Sequence, residues 1–139
     1  MRVLLDTSSL LYLANDPGAY YSPDLQSFLT DPGTDLDVPI ASLWEIAIKY
    51  SLGKLTLPLP PSQWAPSRLA RHRLGTLGIS ASHVLGVESL PLHHRDPFDR
   101  LIAIQSLLEG IPLLAADRIF DLYGVARIDP RGEDPRSLP

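Results

Sequence analysis

The sequence predicts an α/β domain, a parallel sheet covered by helices on both faces. Short apolar runs alternate with stretches of helical period, which is the order of strand–helix–strand units. Two of those runs, Val3-Leu4-Leu5 and Pro112 to Ala116, read as buried strands. Five acids, Asp6, Glu45, Asp96, Asp99 and Asp117, each sit where a strand ends or a helix begins. In parallel sheets the site lies at the carboxyl ends of the strands, so this placement brings all five to one edge.

The elements follow in order. The run Val3–Leu5 ends at Asp6, and Thr7 to Ala14 then suits a short helix through Leu10, Leu11 and Leu13, stopping before Asp16-Pro17-Gly18. Ser22-Pro23 opens a helix that runs to about Thr30 and stops at Asp31-Pro32-Gly33. Asp37 to Ile40 is a weak second strand, and Pro39, which cannot donate to a ladder, belongs at its end or at a sheet edge. A helix begins at Ser42-Leu43-Trp44-Glu45 and reaches about Ser51, with Gly53 as its stop signal. Leu55 to Pro61 is proline-rich and extended, and a helix carrying Trp64, Leu69 and Ala70 follows. Thr76 to Ile79 is a possible strand, Ser80 to Glu88 is helical and Leu90 to Arg95 is a loop. Asp96-Pro97-Phe98-Asp99 starts the clearest helix, with Phe98, Leu101, Ile102, Gln105 and Leu108 in helical period and Gly110 at its end. The strand Pro112–Ala116 closes at Asp117, a helical turn spans Arg118–Tyr123 and a last strand spans Gly124–Ile128. Residues 129–139 carry three prolines and several charges and are expected to form a loose tail, so the domain is placed at 1–128.

With 139 residues and 45% hydrophobic content, one domain can bury a full core. There is no cysteine, which excludes disulfides, a thiolate nucleophile and a zinc–thiolate site. The first sixteen residues lack the pattern of a signal peptide, and no run is long enough to cross a bilayer, so the cytoplasm is the expected setting. A net charge of −4 argues against broad electrostatic binding of nucleic acid but not against a nuclease whose metal supplies local positive charge. Arg68, Arg71, His72 and Arg73 form a basic segment that reads as a solvated helix face.

Taken singly, each acid has a structural reading. Asp6 and Asp117 could simply cap the elements after them. Glu45 lies three residues after Ser42 in the pattern of a capping box, and Asp96 and Asp99 flank Pro97 in the same pattern. Asp96 suffices as the cap, which leaves Asp99 to face the pocket. Taken together they are more specific, because converging carboxylates stay ionised at neutral pH only around a cation. Oxygen ligands of this kind favour Mg²⁺ or Mn²⁺, and helix N-termini at the same edge suit a phosphate. His93 and His94 precede the Asp96 helix as a loop pair.

Several segments resemble the PIN-domain ribonucleases, in particular the toxin subunits of VapBC-type toxin–antitoxin pairs. They are Val3 to Ser8, Ser42 to Lys49 with Gly53-Lys54-Leu55, Leu90 to Gln105 with its His-x-Asp-Pro-Phe-Asp-Arg block, and Ala116 to Phe120. The resemblance implies a three-layer α/β/α sandwich and a Mg²⁺-dependent (Mn²⁺ possible) endoribonuclease toxin that cleaves single-stranded or looped RNA, often tRNA or ribosomal RNA. It implies a cognate antitoxin as inhibitor and a homodimer. The family's metal site falls on Asp6, Glu45, Asp99 and Asp117. Asp6 and Asp99 are then the main ligands, Glu45 orients or deprotonates the attacking water, and Asp117 completes the site. Arg100, Ser8 and His94 are the expected substrate contacts.

One position departs from the family pattern. A Thr or Ser commonly stands two residues before the last acid, and here that residue is Ala115. This keeps open an alternative, a catalytically weak RNA- or antitoxin-binding module. A small-molecule phosphatase with an aspartyl nucleophile needs a second acid two residues on, where Ser8 stands. Trp44, Tyr50, Trp64 and Leu55–Pro61 offer apolar surface for an antitoxin groove, although core packing is the simpler role for Trp44.

Overall fold

The computed structural model describes residues 1–138. Among these, five strands form one sheet: β1 (Arg2–Leu5), β2 (Asp35–Pro39), β3 (Gly75–Leu77), β4 (Leu113–Leu114) and β5 (Arg127–Ile128). Every pairing is parallel and the order is β3-β2-β1-β4-β5. Leu4 pairs with Asp37 on one side and Leu113 on the other, so β1 is the centre of the sheet. The helices are α1 (Thr7–Asn15), α2 (Pro17–Tyr20), α3 (Pro23–Thr30), α4 (Ile40–Ser51), α5 (Pro61–Arg71), α6 (Ala81–Gly86) and α7 (Pro97–Glu109). Single 3-10 turns occupy Val87–Ser89, Arg118–Tyr123 and Pro135–Ser137.

Two apolar clusters cover the two faces of the sheet, which is the three-layer α/β/α arrangement. Val3 and Leu5 point into a cluster with Leu10, Phe28, Ile46 and Trp64, whereas Leu4 points into one with Ile102, Leu113 and Phe120. The period of two along a strand sends successive side chains to opposite faces, and all three residues are fully buried. β1 therefore reads as an uninterrupted apolar run.

The helix ends follow the local chemistry of the chain. Gly110 ends α7 with φ of 65°, a left-handed conformation that only glycine enters without strain. Asp16 both closes α1 and caps α2, accepting from the Ala19 N–H at 3.3 Å, with Pro17 as the first helical residue. Asp-Pro, read from sequence as a stop, is here also a start. α4 begins at Ile40 with Pro39 before it and no side-chain cap, so Ser42 lies inside the helix and forms no capping box with Glu45. Pro39 ends β2, as its missing donor requires.

Two aromatic expectations change. Trp64 is fully buried on the inner side of α5 and is not available to a groove. Trp44 is not core: it is 56% exposed, and its ring meets Phe98 edge-on at 5.1 Å. Residues 129–138, expected as a loose tail, make defined contacts with α3. Ser22 donates from its N–H to Pro130 O at 2.9 Å and from its hydroxyl to Gly132 O at 2.7 Å. Arg136 pairs with Asp31 and Asp134 and lies 5.4 Å over the Phe28 ring.

Candidate metal centre

The chain runs outward from β1 to β2 and β3, then returns to β4 on the other side of β1. That reversal opens a crevice between the carboxyl ends of β1 and β4, the place where open parallel sheets bind ligands. Asp6 stands at its floor, directly after β1. Its N–H donates to Leu114 O at 3.2 Å, its carboxylate accepts from the Ser9 N–H at 2.8 Å, and it is 6% exposed. Asp117 follows β4 and caps the 3-10 turn, accepting from the Ile119 N–H at 3.0 Å. α4 starts where β2 ends, so its first turns rise beside the crevice and bring in Glu45. α7 runs back toward the start of β4, so its N-terminus, with Asp96 and Asp99, lies at the same edge. A cleft of about 310 Å³ is lined by all five acids together with Thr7, Ser8, Lys49 and Lys54.

Each carboxylate is held by a different local device. Thr7 donates its hydroxyl to Glu45 Oε1 at 2.7 Å and also meets Ser42 Oγ at 3.0 Å. Lys49, one turn along α4, pairs with Glu45 Oε2. Asp96 is the N-cap of α7 and accepts from the Phe98 N–H at 2.8 Å and the Asp99 N–H at 3.3 Å. His94 Nε2 lies 2.9 Å from Asp99 Oδ2. The Asp96 N–H donates to His94 Nδ1 at 3.2 Å, so in the neutral ring the remaining proton sits on Nε2 and is donated to Asp99.

The charges act on one another across the cleft. Burial pushes the Asp99 carboxyl up to about 7, and the neighbouring Asp96, Asp6 and Glu45 charges add to this against the opposing effect of His94. Burial also raises Asp6, with Glu45 and Asp117 adding to it and the Ser9 hydrogen bonds opposing. The hydrogen bond to Glu45 raises Lys49, and the Asp96 and Asp99 charges act in the same direction. Two carboxyls whose burial opposes ionisation, Asp6 and Asp99, with further carboxylates in the same cleft, fit a hard divalent cation. His94, Asp99 and Asp117 each offer a ligand atom within 4.8 Å of the other two. With Nδ1 accepting from the Asp96 N–H and Nε2 set against Asp99 Oδ2, His94 is placed to serve Asp99 as a donor. Asp99 and Asp117 are the two carboxylates of that group, and Asp6 and Glu45 line the same cleft.

The expected substrate contacts separate. Ser8 lines the cleft, and His94 reaches it through Asp99. Arg100 does not line it. Its guanidinium donates to the backbone oxygens of Pro91 at 2.9 Å, Val87 at 3.2 Å and Leu90 at 3.3 Å, and to the Tyr123 hydroxyl at 3.3 Å. It clamps the loop before α7 instead of facing a phosphate. The cations that do line the cleft, Lys49 and Lys54, and the hydroxyl of Thr7 are not marked as site residues by the sequence alone. Lys49 had a signal, its spacing of four from Glu45 on one helix face. A second hollow of about 360 Å³ lies at the opposite edge, where Thr34, Arg71 and His72 meet the start of β2.

Comparison with known proteins bears on the family and the fold. The chain is 37% identical over 60 residues to the Ribonuclease VapC16 of Mycobacterium tuberculosis, a segment that is 43% of this chain and 41% of that relative's length. The crystal structure of VapBC2 from Rickettsia felis bound to a DNA fragment from their promoter superposes with a TM-score of 0.70 at 18% identity, covering 93% of this chain and 98% of that one. DNA-bound VapBC from Salmonella typhimurium gives 0.65 at 16% identity, covering 93% of this chain and 98% of that one. The PIN domain model matches residues 3–126, a span that takes in every carboxylate of the cleft, and the chain belongs to the PIN domain family.

Proposed function

We propose that the chain is a Mg²⁺- or Mn²⁺-dependent endoribonuclease and the toxin of a type II toxin–antitoxin pair. The observation that carries this is the convergence of Asp6, Glu45, Asp96, Asp99 and Asp117, from separate stretches of sequence, on one cleft. A divalent ion, when bound, would supply positive charge to a phosphodiester and lower the pKa of an attacking water. Asp6, Asp99 and Asp117 would hold it. The Thr7 hydroxyl and the Lys49 ammonium fix both oxygens of Glu45, which would orient the water and receive its proton. His94 donates to Asp99 and keeps that carboxylate turned inward. The N-termini of α1 and α7 face the same cleft and favour an anionic substrate.

The partners follow from the same reading: RNA as substrate, a cognate antitoxin as inhibitor, and a second copy of the chain in a homodimer. No helix among the described residues is long and apolar enough to cross a membrane. Replacing Asp6 or Asp99 by Asn keeps the shape and removes one charge. Cleavage of single-stranded RNA in Mg²⁺ should then fall by about a hundredfold or more. Undiminished cleavage in either variant would overturn the assignment.

Ala115 favours a second reading, a module that binds RNA or antitoxin with little turnover. It is fully buried and brings no hydroxyl to the approach to Asp117. Titration of Mg²⁺ into an RNA-cleavage assay separates the two, because a pure binding module shows no metal-dependent cleavage.

A further inference from the structure

We infer that Lys54 is the residue that holds the RNA backbone at the mouth of the cleft, in the role first expected of Arg100. The inference rests on the nuclease reading above. Of the two ammonium groups lining the cleft, Lys49 is committed to Glu45. Lys54 has no side-chain hydrogen bond or ion pair among the described residues and is exposed. A cation kept unpaired beside five carboxylates, in a chain of net charge −4, is the group that an incoming phosphate can meet without first breaking an existing pair.

Its position is set by the backbone. α4 ends at Ser51, and Gly53 adopts φ of 72° just past the end. The Gly53 N–H donates to Tyr50 O at 3.0 Å and the Lys54 N–H donates to Lys49 O at 2.8 Å. This pair of bonds is the Schellman closure of a helix, and it needs a left-handed residue where glycine stands. It ties the Lys54 backbone directly to that of Lys49, whose side chain already orients Glu45. Leu55, packed against the core, anchors the next residue. One rigid turn therefore presents two lysines to one cleft, one turned to the catalytic carboxylate and one free for substrate. A helix C-terminus carries partial negative charge and gives an anion nothing by itself, so the attraction at this corner comes from the ammonium.

The test compares wild-type protein with Lys54→Ala, Lys54→Arg and Arg71→Ala. The last removes the same charge at the opposite edge, where Arg71 lines the second hollow. Affinity for a labelled single-stranded RNA of mixed sequence is measured in Ca²⁺ over a salt series, and steady-state cleavage is measured in Mg²⁺. Lys54→Ala should bind about fivefold to tenfold more weakly at low salt. Its log–log salt slope should be shallower by about 0.7, the value for one lost phosphate contact on a single strand. KM should rise with kcat nearly unchanged, Lys54→Arg should restore both, and Arg71→Ala should leave the slope as it is. An unchanged slope and KM in Lys54→Ala, or an equal loss in Arg71→Ala, overturns the role of Lys54 while wild-type cleavage keeps the nuclease reading. A wild-type protein that neither binds nor cleaves RNA overturns both.

Discussion

Thr7 shows how one hydroxyl can decide what a carboxylate does. It is buried, and it donates to Glu45 Oε1 while meeting Ser42 Oγ. Thr7→Val keeps the volume and removes the donor, leaving a buried carboxylate oxygen with one partner fewer. We expect a loss of about 1–2 kcal/mol in chemical denaturation and a fall in cleavage, both recovered by Thr7→Ser. Asp99 gives a pH signature. Its carboxyl is raised to about 7 in the folded chain, above the ordinary value of 3.8 that it has when unfolded. The folded state therefore holds a proton that the unfolded state has released between those values, and stability falls as pH rises through that window. In EDTA the melting temperature of the wild type should drop from pH 5 to pH 7.5, with Asp6 acting in the same direction. Asp99→Asn should flatten the drop and be the more stable protein at pH 7.5, although inactive. An equal drop in the variant would place the burden elsewhere. At this scale the sequence is legible for position, as at Asp6 and Asp99, which line the cleft, and misleading where adjacency stands in for geometry. Arg100 is next to Asp99 in sequence, but successive helical residues point about 100° apart. If Asp99 faces the cleft, Arg100 faces away, and its guanidinium closes on the loop carbonyls of Pro91, Val87 and Leu90.

The start of α7 tests whether a residue that lines the cleft is there for the helix or for the metal. Asp96 accepts from the Phe98 and Asp99 N–H groups, so it fixes the turn that aims Asp99. Asn caps as well as Asp but carries no charge. Asp96→Asn should retain both stability and RNA cleavage, whereas Asp96→Ala should lose about 1 kcal/mol in denaturant unfolding and reduce cleavage by misaiming Asp99. A large loss of activity in Asp96→Asn with stability intact would make Asp96 a ligand. This element was read correctly from sequence because Asp-Pro-x-Asp at its start and glycine at its end are strong local signals. The start of α4 misleads for the opposite reason. Ser42 and Glu45 have the spacing of a capping box, yet the helix begins at Ile40, and both side chains turn to Thr7. A local motif and a tertiary contact can share one spacing, and only the partner across the sheet decides between them. α2 and the two-residue strands β4 and β5 lie near the length at which pattern carries little information.

For the whole molecule, the carboxyls that burial raises, Asp6 and Asp99, work against stability at neutral pH. Asp6 and Asp117 belong to the strand ends, Glu45 to α4 and Asp99 to α7, so the site exists only when both faces of the sheet are packed. Topology legible from alternation alone put these acids at one edge, because a strand's end and the next helix's beginning share an edge in any parallel sheet. What alternation could not give was the order β3-β2-β1-β4-β5, which depends on which strands pair and sets Asp6 and Asp117 on either side of the crevice. A divalent ion that binds this arrangement and not the unfolded chain must stabilise the whole domain. At one hundred times its dissociation constant the gain is about 2.7 kcal/mol, which for a chain of this length is a rise of several degrees in melting temperature. An ion bound as proposed would displace the proton that Asp99 holds near pH 7. The rise caused by Mg²⁺ over EDTA should therefore be larger at pH 8 than at pH 5.5, as ion and proton compete for one carboxylate. Asp6→Asn and Asp99→Asn should show little rise at either pH. A rise of equal size at both pH values, or one that persists in the two variants, would mean that the ion binds outside this cleft.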